Sequence, residues 1–158
     1  MPPGPDDETL SQLQRSYLAA VYRWRLRGRW HAIRIGEPAP EIERAFPPAR
    51  RFGLVSAWNP HSEPRAEAAN RADDERLHAA IRAEGWKGVH AFASAPDRSW
   101  REPSWIVLDI DAPDLDALAR RFGQLGTLHW RRGEPVRMRM DATRPAALPP
   151  HPYVDWIQ

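Results

Sequence analysis

Three short segments of this chain collect the side chains best suited to chemistry: Trp58-Asn59-Pro60-His61-Ser62, Asp97 to Ser104, and Arg121-Phe122-Gly123-Gln124. The amides of Asn59 and Gln124, with Asn70 further along, each present a donor beside an acceptor and can read a ligand bidentately. Trp100 offers a flat wall for stacking, with Trp58 as a second indole, and Ser62 and Ser104 supply hydroxyls. Glu102 is the carboxylate of this set suited to act as general acid or base. Such a mixture suits a small polar ligand. Each residue also has a plainer role. Asn59 before Pro60 is a turn pair, Ser62 ahead of Pro64 is a helix cap, and Glu102 is within reach of Arg98, Arg101 or Arg121. Gln124 can cap carbonyls, Trp100 can plug the end of the core, and His61 reads as a solvated loop histidine.

Other chemistries are poorly served. The chain has no cysteine, hence no disulfide, no thiolate metal site and no cysteine nucleophile. Its six histidines show no paired metal spacing, and neither standard phosphate-cradling glycine loop is present. Asp109, Asp111, Asp114 and Asp116 read as helix-start charges favoured by the macrodipole. The net charge is only +2, although all basic residues but Lys87 are arginine, which argues against a dedicated DNA binder. The segment Arg23-Trp24-Arg25-Leu26-Arg27-Gly28-Arg29-Trp30 interleaves bases and aromatics, as nucleic-acid binders do; it reads as a helix end with arginines snorkelling around a buried Trp24. Ordinary hydrophobic and charged fractions, 42% and 28%, indicate a globular protein. The longest strongly apolar run, Trp105 to Leu108, is far short of a membrane span. The first eight residues lack a secretory pattern, so a cytoplasmic location is expected.

The elements that must position these residues follow from periodicity. One domain is expected over 1–158, with a loose tail at 1–8. Leu10, Leu13, Tyr17, Val21 and Trp24 share a helical face, and Thr9 with Gln12 resembles a capping box, so a helix is expected over Asp7–Arg27, stopped by Gly28. Trp30 to Ile35 alternates like a short strand. Pro38 to Pro48 is too proline-rich for regular structure. Strands are expected near 52–58, 88–94, 104–110 and 127–131, with helices ending before Gly85 and running from Pro113 to Phe122. Residues 128–131 and 136–140 read as a hairpin, and the proline-rich 141–158 as a surface wrap. The order from 51 to 131 is that of a split βαβ, ferredoxin-like unit. The fold class is therefore α+β, a ferredoxin-like βαββαβ antiparallel sheet with helices against one face. An amino-terminal helix and a carboxy-terminal hairpin strand are added to it, and 51–140 forms the core. In that topology the three polar segments meet at one edge of the sheet.

The stretches Phe52-Gly53-Leu54-Val55-Ser56-Ala57-Trp58-Asn59-Pro60, Asn70, Ser99-Trp100-Arg101-Glu102-Pro103-Ser104 and Ala119-Arg120-Arg121-Phe122-Gly123-Gln124 together resemble a bacterial family known as domain of unknown function 3293. The resemblance covers residues 52–130 and departs from the family where Leu125 to His129 read less apolar. It implies no reaction and no cofactor, but singles out Asn59, Asn70, Trp100, Glu102, Ser104 and Gln124. The expected function is binding of a small polar molecule at 58–62, 97–104 and 121–124, with Glu102 as acid or base should the protein be an enzyme. The alternatives are an RNA-binding ferredoxin-like module and a protein-interaction module. Ser104 to Ile110 lacks the exposed aromatics of an RNA-reading strand, so nucleic-acid binding is expected to be weak and non-specific.

Overall fold

The computed structural model describes residues 4–158; Met1 to Pro3 of the expected tail lie outside the described residues. Helix α1, Asp7–Ala19, is capped by Asp6, whose carboxylate accepts from the Thr9 amide at 2.8 Å. Thr9 is thus inside the helix rather than its cap.

The expected helix over 7–27 ends early. At Ala20 the backbone turns extended, and Val21–Leu26 forms strand β1, paired antiparallel with β2, Arg29–Ile33. The same residues satisfy two periods: Tyr17, Val21 and Trp24 fit a helix stripe, whereas Tyr22 and Trp24 alternate with Arg23 and Arg25 as in a strand. Pairing decides, because β1 fills the free edge of β4, Gly88–Ser94. Arg27 and Gly28, both at positive φ, make the two-residue turn.

The proline-rich connector is also not wholly irregular. Pro40 starts a short helix α2, Pro40–Ala45, where its missing N–H costs nothing. Arg132 ties this segment to the hairpin turn by donating to the carbonyls of Ala49, Glu43 and Phe46 at 2.7–2.8 Å.

The remaining elements are β3, Arg51–Val55; α3, Glu67–Ala83; β5, Arg101–Leu108; α4, Ala112–Arg121; β6, Gly126–Arg131; β7, Arg137–Met140; and β8, Val154–Trp156. A single 3-10 turn, Pro60–Ser62, follows β3. All eight strands join one sheet in the order β2-β1-β4-β5-β3-β6-β7-β8, so the fold is a mixed α+β one. Both β3 and β4 run antiparallel to β5 and hence in the same direction. The expected hairpin appears as β6 against β7. The carboxy-terminal wrap instead ends in β8, parallel to β7, with Val154 buried.

Helices cover both faces, not one. On one face α3 and α4 enclose Val55, Ile81, Trp105, Val107 and Leu115. On the other, α1 and α2 pack over Trp24, Phe52, Leu54, Ile106 and Trp130. Two strand boundaries differ from expectation in a way that makes room for a site. β3 stops at Val55 rather than 58. β5 starts at Arg101 rather than 104, pairing there with β4 alone. Pro103 is tolerated because this stretch of β5 has no second partner strand, the setting in which a strand accepts proline.

Candidate functional site

Where β3 ends, the sheet face under α1 holds a cavity of about 50 Å³. Its floor comes from Leu54 on β3, Ser56 just past the end of that strand, and Glu102 and Ser104 on β5. Tyr22 and Ala93 form one side, Gly126, Thr127 and Leu128 the other, and Tyr17, Trp100 and Gln124 the rim. Alternation along β5 explains the floor, since Glu102, Ser104 and Ile106 face α1 while Trp105 and Val107 face α3. Among the described residues, no lysine, arginine or histidine lines this cavity.

Among the described residues, Glu102 is the one charged side chain that lines the cavity. It is half-buried, and desolvation raises its carboxyl above the ordinary carboxylate range, partly opposed by a hydrogen bond from Asn59 Nδ2 at 3.3 Å. Among the described residues it has no ion pair with Arg98, Arg101 or Arg121. Beside it the Ser104 hydroxyl, 2% exposed, has no hydrogen-bond partner. Unpaired buried hydroxyls are uncommon and call for an explanation.

The structure separates the sequence-derived candidates into two groups. Trp100, Glu102, Ser104 and Gln124 line the cavity. Trp58, Asn59, Ser62 and Asn70 do not line it; they brace the residues that do. Gln124 Nε2 donates to the Trp58 carbonyl at 3.0 Å, which holds the start of β6 against the end of β3. The Ser62 hydroxyl meets the Tyr17 hydroxyl at 3.1 Å, so Ser62 fixes the rim rather than capping α3, whose cap position is Ala66. Asn70, 2% exposed, exchanges hydrogen bonds with Asn59, and Arg65 Nε donates to the same Asn70 oxygen at 2.7 Å. Asn59, His61 and Ser62 all adopt positive φ, an unusual backbone for non-glycine residues. The His61 amide bonds the Gly123 carbonyl at 2.7 Å, pinning this turn to the end of α4. Asp111 does cap α4, accepting from the Asp114 amide at 2.8 Å.

Sequence reasoning missed Tyr17, Tyr22, Ser56 and Thr127. Tyr17 lay on the apolar stripe of a helix and read as core. Tyr22 was assigned to that same helix, and only its alternation with Trp24 signals a strand. The Tyr17 ring lies on Gly126, where an added Cβ would sit 2.9 Å from it. The Tyr22 hydroxyl donates to the Tyr17 carbonyl at 2.5 Å, and burial raises the pKa of both phenols. No group of histidine, aspartate and glutamate suited to a metal occurs among the described residues, and no described helix is long and apolar enough to cross a membrane.

A domain of mixed α+β architecture with a polar cavity at one end of its sheet is therefore defined. Residues 55–126, which carry Ser56, Glu102 and Ser104 of this cavity's floor and most of its braces, match the family described as "Protein of unknown function (DUF3293)". No curated protein and no solved structure matches the chain.

Proposed function

We propose that the protein binds the cationic or donor-rich end of a small polar molecule in the cavity under α1, with Glu102 as its charged contact. One observation carries this reading: among the described residues, a half-buried carboxylate without a cationic partner faces a cavity lined by no basic side chain. Burying such a group is costly unless something pairs with it. An ammonium or amidinium group would supply that pair, with the Ser104 hydroxyl as a further acceptor and Trp100 and Tyr17 as aromatic walls. A volume of about 50 Å³ suits one such group rather than a whole drug-sized ligand, whose pockets run to about 300–1,000 Å³. The same carboxyl, with its raised pKa, is suited to exchange a proton with whatever it binds. The strand order β4-β5-β3-β6 supports reading the centre of the sheet as a ferredoxin-like unit.

Thermal melting with millimolar methylamine, ethanolamine and acetamidine, each against acetamide, tests the reading. A ligand that binds only the folded state raises its stability as concentration exceeds Kd. An amine or amidine is expected to raise the melting temperature of the parent and not that of Glu102→Gln. Equal shifts in both proteins, or none in the parent, would refute it.

A further inference from the structure

The face of β1, β2 and β4 opposite the cavity carries a different surface. From Thr9 to Gly36 the chain holds six arginines and no acidic residue. That segment contributes +6 to a chain whose total is +2, which leaves −4 on the remainder. Folding of β1 and β2 as a hairpin sorts these charges. Trp24 turns inward, 1% exposed, while Arg23 and Arg25 project from the other face, opposite Phe92 and Trp30 in register. Trp30 is the one exposed large hydrophobic residue among those described, at 43%. Its ring meets Phe92 edge-on at 4.7 Å, and the Arg25 and Arg101 guanidiniums lie 6.0 Å from its centre. Arg101 also covers Phe92 at 4.1 Å.

None of Arg23, Arg25, Arg27, Arg29 and Arg101 forms an ion pair among the described residues. Edge strands often carry charge to discourage sheet-to-sheet pairing. That explanation covers β2 and the start of β5, where Arg101 has no second partner strand, but not Arg23 and Arg25 on the inner strand β1. From this juxtaposition of an exposed indole with unpaired guanidiniums on an open sheet face, we infer that the hairpin face binds single-stranded nucleic acid, Trp30 stacking on a base and the arginines neutralising flanking phosphates. A single strand presents both partners at once, bases with free faces and a regularly charged backbone. This surface is independent of Glu102 and of the cavity.

Fluorescence anisotropy of labelled single strands of about 12 nucleotides, oligo-U and oligo-dT side by side, tests the inference. At about 50 mM salt, binding is expected in or below the range of roughly 1–100 μM, weakening as salt rises. The slope of log K against log salt should fall by about 0.7 for each phosphate contact removed, so Arg25→Gln and Arg101→Gln should each flatten it. Trp30→Ala should weaken binding roughly tenfold with little change of slope, and Trp30→Phe should restore part of the loss. Circular dichroism melting of each variant distinguishes lost contacts from lost folding. Absence of salt-dependent binding, variants that bind like the parent while folded, or tighter binding to the matching duplex would each overturn the inference. So would binding to vesicles of anionic phospholipid with none to either oligonucleotide.

Discussion

Asn59 and Asn70 hold each other by two hydrogen bonds of 2.8 Å: the Asn59 amide N–H donates to Asn70 Oδ1, and Asn70 Nδ2 donates to Asn59 Oδ1. The pair joins the loop after β3 to the first turns of α3, and it aims the remaining Asn59 amide hydrogens at Glu102. The αL backbone of Asn59, a conformation asparagine tolerates better than most residues, is stabilised by this exchange.

Asn70→Ala should therefore behave as a folding mutation. It leaves the Asn59 N–H without its partner and removes an acceptor from Arg65, which also anchors to Asp73 at 2.6 Å. A loss of about 1–3 kcal/mol is expected by urea denaturation. A loss below about 0.5 kcal/mol, typical of an inert surface change, would mean that Asn70 is not the brace described.

Glu102 should show the opposite behaviour. Its carboxyl is raised from 4.5 by burial, so just above that pH the folded protein keeps a proton that the unfolded chain has released. The folded state then binds more protons, and stability falls as pH climbs from 4.5 through the raised value. Above that window the penalty for a buried charge is complete. Glu102→Gln should abolish this decline and melt at neutral pH no lower than the parent. Scans from pH 4 to 8 check it; a clearly lower melting temperature at pH 7 would show that the carboxylate has a stabilising partner in the fold.

Gly126 makes room for Tyr17. A Cβ there would approach the ring carbons to 2.9 and 3.0 Å, well inside ordinary contact. The ring is held by the Ser62 bond and by packing at the cavity rim. Gly126→Ala should cost about 1–3 kcal/mol as an overpacking change and alter the near-ultraviolet circular dichroism of the aromatic rim. The paired variant Gly126→Ala/Tyr17→Leu should recover part of the loss. Equal stability of Gly126→Ala and the parent would contradict the packing.

The elements around the cavity were legible where periodicity had one answer. Trp105 to Leu108 is continuously apolar because both faces of β5 are covered there, and Leu115, Leu118, Ala119 and Phe122 fit a helix alone. With two crossovers, those elements bring residues 58–62, 97–104 and 121–124 to one end of the sheet, as the contacts Asn59–Glu102, Trp58–Gln124 and His61–Gly123 attest. Residues 17–26 had two answers, and their helix stripe was read in preference to the alternation of Tyr22 with Trp24. For that reason Tyr17 and Tyr22 went unrecognised beside the cavity, and the arginines of β1 read as a helix end.

By itself, the sequence determined the central strands, the helices between them and the polar loops they gather, because each depends on spacing within one segment. Tertiary structure alone decided that Val21 to Leu26 is a strand, since that choice rests on the free edge of β4 nearly 70 residues away. It also decided which polar residues face the cavity. Glu102 and Asn59 are both site candidates in a list of residues; the alternation of β5 turns Glu102 toward the cavity, and the Asn70 bonds hold Asn59 outside it as a brace. Such partners lie distant in the chain, and local propensity carries no information about them.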